Sequence, residues 1–183
     1  MSAVRLRCEE RGSAILEFAI TLPLLVVFVV GIYDFSGAFN QKQKLENAAQ
    51  EGAIIAGAQP MSDIAASNAD PVTLRPVVTT VFNSLVNSSV VPPAVCNPPG
   101  TITGGPSLTW TYTISGCSSA GDLTIVINRG ISAPGPPAVV GAKVTVSYPY
   151  QWHFNSVIQL LIPGANYNLP LSISESATVH NQM

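Results

Sequence analysis

Charge is sparse in this sequence. Only 10% of its 183 residues are Asp, Glu, Lys or Arg, where soluble domains carry about 25%, so the densely charged surface of an ordinary soluble enzyme is missing. Eight Lys+Arg against ten Asp+Glu leave a formal net charge of -2. That offers no basic field to hold a phosphate backbone, and nucleic acid is excluded as a partner. Histidine is scarcer still, with His153 and His180 the only two, and the three cysteines form no paired motif. A zinc site would therefore lack ligands, and the lone histidines read as satisfied surface or loop residues. There is also no phosphate-cradling glycine motif, no nucleophile elbow and no carboxylate cluster in the C-terminal region. The chain reads as non-enzymatic, with no cofactor.

What the sequence has instead is apolar residues, unevenly placed, with a mean hydropathy of +0.36. From Ala14 to Tyr33 it runs AILEFAITLPLLVVFVVGIY, with Glu17 the one charge, before Asp34 ends the run. Twenty helical residues at about 1.5 Å each reach about 30 Å, the hydrocarbon thickness of a lipid bilayer. The run predicts a membrane-spanning helix. Arg5, Arg7 and Arg11 precede it, while Lys42 and Lys44 follow, so the positive-inside bias favours a cytoplasmic N-terminus and export of the remainder. A cleaved secretory signal is the rival reading. Its apolar region is typically about 7 to 15 residues, shorter than this one, and Ser36 to Ala38 makes a poor cleavage pattern.

Glu17 asks for a reason, because a carboxylate in a membrane helix costs roughly 2.5 to 3.5 kcal/mol at mid-span and less near an end. Its surroundings are specific. Gly12 is followed by four residues and then Glu17-Phe18, inside an apolar helix that continues through Pro23 and Gly31 to Asp34-Phe35 and ends near Ala48-Ala49-Gln50-Glu51-Gly52-Ala53. Over roughly residues 9 to 58 this resembles the N-terminal segment of TadE-like proteins, the minor pilins or pseudopilins of tight-adherence (Tad) pilus systems, and more broadly the class III signal of type IV pilin relatives. The resemblance implies a structural subunit of a type IVc-like pilus used in surface adhesion. It implies cleavage by a prepilin peptidase between Gly12 and Ser13, which makes Glu17 the fifth mature residue. Other pilin or pseudopilin subunits and the inner-membrane pilus assembly machinery are the implied partners. The implied location is the bacterial inner membrane, single-pass, with the C-terminal domain in the periplasm. Ser13 departs from the aromatic first residue common in better-known pilins.

Elementary electrostatics supplies a reason for the pattern. Removing residues 1 to 12 takes three Arg from eight basic residues and two Glu from ten acidic ones, so side-chain charge becomes -3 and a new ammonium forms on Ser13. A neighbouring subunit's Ser13 ammonium can pair with Glu17 in a low-dielectric helix bundle. Such a pair need not add net stability, yet it penalises misaligned packing. Pro23 has two readings: a proline tolerated because neighbours satisfy the freed carbonyl, or a kink that permits local stretching when the subunit enters a filament.

Beyond Asp34 the helix is expected to continue to Ala58, with Phe35, Ala38, Phe39, Leu45, Ala49, Gly52, Ile55 and Ala56 as an apolar stripe and Lys42, Lys44, Glu46 and Glu51 on a solvated face. Gln59-Pro60 ends it. A shorter helix is expected within Asp70 to Val86, with Asp70 as a possible cap and Pro76 able to delay the start. Val90 to Pro106, with five prolines and three glycines, reads as a loop. Strands are expected at Leu108–Ile114, Leu123–Ile127, Lys143–Tyr148 and Leu171–Val179, with a turn or short helix at Asn155–Ile162. The expected fold is α+β: a leader (1–12), a transmembrane and stem helix (13–58) and a periplasmic head (59–183) whose antiparallel sheet packs on the stem.

The cysteines fit this topology. Cys8 belongs to the leader, whereas Cys96 and Cys117 belong to the exported part, where an oxidising periplasm allows a disulfide. Trp110, Tyr112, Tyr148, Tyr150, Trp152 and Phe154 concentrate in the sheet and its exit loop, as core or as an exposed contact patch. Asp34-Phe35-Ser36 resembles the start of a metal-adhesion motif, but Ala38 breaks it. The alternative function is a signal-anchored periplasmic binding module that does not assemble, and a secreted enzyme comes third.

Overall fold

In the computed structural model the apolar run lies within one α-helix, α1 (Glu9–Ala58), of 50 residues. The structure describes residues 9–65, 67–92, 96–133, 139–154, 159, 164 and 171–181. Most of the leader, including Cys8, and most of the expected turn or helix at 155–162 lie outside the described residues. The chain divides into two units, Met1–Gly37 with Trp152–Leu169 and Ala38–Gln151 with Pro170–Met183. The second unit is the head.

In the head, α1 contributes its part from Ala38 to Ala58. Leu45, Ala48, Ala49, Gly52, Ala53, Ala56 and Gly57 are buried, a spacing of three and four that puts them on one helix face. This narrows the expected stripe. Phe39 is 53% exposed and Phe35 is exposed as well, because continuous burial along this face of α1 begins only at Leu45. Lys42, Glu46 and Glu51 are exposed as expected, and Lys44 is half-buried. The small residues Ala48, Ala49, Gly52 and Ala53 allow close approach of a second helix, α2 (Arg75–Asn87), which buries Val77, Val78, Val81, Phe82 and Leu85.

The start of α2 is delayed to Arg75, with Pro76 in its first turn, where a proline's missing N–H costs nothing. Asp70 does not cap it. Leu74 holds the cap position with no side-chain bond, and a 3-10 turn (Val72–Leu74) stands between Asp70 and the helix. Asp70 instead accepts a 2.5 Å hydrogen bond from Arg75. The cap-like contact belongs to Asp63, which takes the Thr73 amide at 3.0 Å and the Thr73 hydroxyl.

Five strands follow: β1 (Thr101–Gly104), β2 (Thr109–Ser118), β3 (Gly121–Ala133), β4 (Val139–Tyr150) and β5 (Leu171–His180). They form one antiparallel sheet in the order β1-β2-β3-β4-β5. The four expected strands are present and longer, and β1 is an addition inside the segment read as loop. Alternation sends Trp110, Tyr112 and Ile114 of β2, Leu123, Ile125 and Ile127 of β3, and Ala142, Val144, Val146 and Tyr148 of β4 into the core, while the opposite face carries Thr, Ser and Lys, as a one-sided sheet requires. Arg129 follows Ile127 at the next inward position and is fully buried. Its guanidinium donates to the Gln59 carbonyl at 2.9 Å, just past the end of α1. Burial pushes its pKa down.

Cys96 and Cys117 form a disulfide across a sequence separation of 21. In the chain-entropy picture, closing a loop of that size contributes about 3 kcal/mol. It fastens the segment before β1 to the bulged end of β2. The Tyr148 hydroxyl donates to the Cys117 carbonyl at 2.8 Å, on the same spot.

Tyr112 is fully buried, and its hydroxyl has no hydrogen-bond partner among the described residues. Burial, with the Asp70 carboxylate nearby, pushes its pKa up to about 12. The folded state therefore holds this proton after the unfolded chain, titrating near 10.0, has lost it. Tyr112's contribution to stability is complete below pH 10 and is lost as pH rises through 12. Tyr112→Phe should stabilise the head by about 1 kcal/mol at neutral pH, since it removes an unpaired buried hydroxyl, and should flatten the decline between pH 10 and 12. Denaturant unfolding in detergent at both pH values reads this out. A loss of stability at neutral pH would mean the hydroxyl has a partner.

Candidate functional site

The first unit holds the residues that the sequence singles out for assembly. None of the apolar stretch of α1 that is long enough to cross a membrane is buried within the chain. Ile15, Leu16, Phe18, Ile20, Leu24, Leu25, Phe28 and Ile32 are all exposed, and they face every direction around the helix. A helix apolar on all sides needs an apolar surrounding, either lipid or other helices. The single N-terminal apolar helix is thus built as a membrane anchor.

Glu17 sits on this surface one turn after Ser13, whose hydroxyl donates to Glu17 Oε1 at 3.3 Å. The spacing of four residues places both on one face. One turn further on, the Thr21 hydroxyl donates to the carbonyls of Glu17 at 2.9 Å and Phe18 at 3.3 Å. Pro23 has no N–H for the Ala19 carbonyl, yet α1 runs through it as a single helix. Among the described residues Gly12 meets nothing within 4 Å of the position a Cβ would take, and none of their packing accounts for a glycine there.

At the far end of the apolar run, Asp34 is 1% exposed. Its Oδ2 accepts the Phe154 backbone N–H at 2.5 Å, and its Oδ1 lies 3.1 Å from His153 Nδ1. The His153 ring is itself mostly exposed and meets the Tyr33 ring edge-on at 6.2 Å. Sequence reading missed this cluster. It treated His153 as a lone histidine and Asp34 as the end of a run, and no local spacing connects residues 119 apart. Among the described residues no group of three His, Cys, Asp or Glu side chains is gathered, and Asp34 is turned onto His153 and Phe154 rather than into a metal-adhesion motif.

The six concentrated aromatics divide. Trp110, Tyr112 and Tyr148 are core, while Tyr150, Trp152 and Phe154 are half-buried. The Trp110 indole donates to the Asn68 carbonyl at 2.9 Å, as a buried indole requires.

Comparison with curated proteins and with solved structures gave no match. The model of the TadE-like protein family does match, over residues 12–53, so the helix singled out by resemblance is TadE-like from Gly12 to Ala53.

Proposed function

We propose that the protein is a minor pilin or pseudopilin, a non-enzymatic structural subunit in the assembly of a tight-adherence pilus used for surface adhesion. A prepilin peptidase removes residues 1–12, Ser13 becomes the mature N-terminus, and the remainder of α1 serves as anchor and assembly stem. The N-terminus faces the cytoplasm and the head the periplasm, with other pilin-type subunits and the inner-membrane assembly machinery as partners. The observation that carries this reading is the position of the family match. It begins at Gly12 and lies on a span in which Glu17 is the one charge between Gly12 and Tyr33.

Two further observations support it. The surroundings of Gly12, open among the described residues, suit a residue whose missing side chain serves another protein's approach to the backbone, as a peptidase cleft needs. Ser13 and Glu17 already share a helix face, so a terminal ammonium on Ser13 and the Glu17 carboxylate lie where the same pair in a staggered neighbour can be exchanged between chains.

N-terminal sequencing of the mature protein tests the reading directly. Ser13 at the terminus supports the pilin class, Met1 or Ser2 points to an uncleaved anchor, and a start near Phe39 points to ordinary secretion. Gly12→Leu should leave the leader attached in nearly all molecules, visible by mass spectrometry. Normal Ser13 termini in that variant would remove the class III assignment.

A further inference from the structure

The assembly stem leaves one part of the first unit unused: the cluster where Trp152, His153 and Phe154 meet the end of the apolar run. We infer that the Trp152–Phe154 segment is a second membrane contact, lying in the boundary between headgroups and hydrocarbon beside the end of the α1 span. This rests on the reading of α1 as a membrane anchor.

Depth is the first argument. If Ala14–Tyr33 fills the hydrocarbon core, Tyr33 and Asp34 arrive at its boundary. Phe154 does not stop at that level. A Cβ on Gly31 would lie 3.9 Å from Phe154 Cε2, so the ring reaches about one helical turn back toward the apolar span. There it lines an open groove with Val27, Phe28, Gly31, Ile32 and Phe35, apolar apart from Ser36. The groove is continuous with the exposed surface of Phe28 and Ile32. Whatever covers those side chains covers Phe154, and for an anchor helix that is lipid.

Chemistry is the second argument. Tyr33, Trp152 and His153 are rings with one polar edge, the composition enriched where apolar chains give way to headgroups. The carboxylate that ties the segment down is satisfied. Asp34 is almost fully buried, and the Phe154 N–H and His153 Nδ1 stand against its two oxygens. A carboxylate at that depth without such partners would draw water in; with them, it fixes the position of the aromatic segment on the helix.

The test uses the full chain in phosphatidylcholine vesicles, with lipids brominated either near the headgroup or deep in the acyl chain as quenchers. The chain has two tryptophans. Trp110 is fully buried in the head core, so the difference between the native chain and Trp152→Phe isolates Trp152 without disturbing the core. A mid-span probe, Leu24→Trp in the Trp152→Phe chain, reports on α1 alone. The expected result is quenching of Trp152 by shallow bromines about twofold greater than by deep ones, with the opposite order for the Leu24→Trp probe. Phe154→Ser should lower the shallow quenching of Trp152 about twofold. If the mid-span probe is quenched but Trp152 is not, α1 is an anchor and the second contact is overturned. If neither is quenched, both readings fall. If bromolipid leaves Trp152 untouched while dilution of the chain in lipid exposes it to aqueous iodide, a second copy covers the aromatics, which also overturns the inference.

Discussion

Replacing Glu17 with Leu is expected to abolish filaments while seating the chain more firmly in the membrane. Removing the carboxylate relieves at most a few kcal/mol of insertion cost, less than the mid-span figure because Glu17 lies near the start of the run. Apolar packing alone does not specify subunit register, since one Leu-, Val- and Phe-covered surface slides against another with little change in contact. In the proposed pairing the Glu17 carboxylate specifies it, by making every misaligned neighbour leave a charge unpaired. Insertion and assembly should therefore move in opposite directions. Glu17→Gln separates charge from shape: it keeps an oxygen for the Ser13 hydroxyl but cannot pair with an ammonium, and it should fail in assembly like Leu. The variants are to be expressed in place of the native protein, with leader removal, membrane fractionation and surface filaments measured together. Wild-type filament numbers would sink the pairing, whereas lost cleavage would move Glu17's role to peptidase recognition.

The second large effect belongs to the head. A Cβ at Gly52 would lie 2.4 Å from Val81 Cγ2 of α2 and 3.3 Å from Val144 Cγ1 of β4. Two effects compete on substitution. Replacing a helical glycine gains up to about 1 kcal/mol of helix propensity, whereas overpacking a filled core costs about 1 to 3 kcal/mol and occasionally more. Packing wins here, because Val81 is β-branched within a helix and has essentially one rotamer to occupy. It cannot swing aside, so α1 and α2 must separate. Gly52→Val, which adds two methyls beyond the Cβ, should cost about 3 kcal/mol or more of a head stability on the order of 5 to 15 kcal/mol. Denaturant unfolding in detergent, or protease susceptibility in membranes, would register it. An unchanged midpoint would mean that this three-way contact is looser than described.

These two residues also mark what a sequence can disclose. Glu17 is legible because its oddity is local: one charge in an apolar run, one turn from a glycine–serine junction. The helices and four strands are legible for the same reason, since periodicity of 3.6 or 2 is a property of neighbours in the chain. β1 escaped because a strand of four residues, Thr101–Gly104, has almost no period to show and stands among prolines and glycines that argue for loop. Phe35 and Phe39 share the spacing of the stripe, but spacing fixes only the angle around the helix and not where along it the head begins to cover it, at Leu45. Asp70 reads as a cap because the short 3-10 turn that intervenes has no sequence signature of its own. The Asp34 cluster was out of reach altogether. It depends on where β4 delivers residues 152–154, and a histidine's partner 119 positions away leaves no trace in composition or spacing.

The strand order bears on how the head comes to be folded. Each of the five strands is bonded to its immediate successor in the chain, so no pairing waits for a crossover; β4-β5, which sets Tyr150 opposite Leu171, closes a longer interval, and the pairings β1-β2, β2-β3 and β3-β4 close short ones. Contacts this local form early and fast, because little loop entropy is spent before they are made. The face of α1 from Leu45 to Gly57 is different: it must find strands β4 and β5, where Gly52 meets Val144 and Gly57 meets Val179 and His180, on the order of a hundred residues later in the chain. Docking of that helix face is then the late, slow event, and until it happens this part of the inner side of the sheet, Val144 included, stands open to water and to other chains. A chain whose α1 is anchored at one end therefore has fewer arrangements of that helix face to search while the sheet forms, which shortens the step that limits the rate.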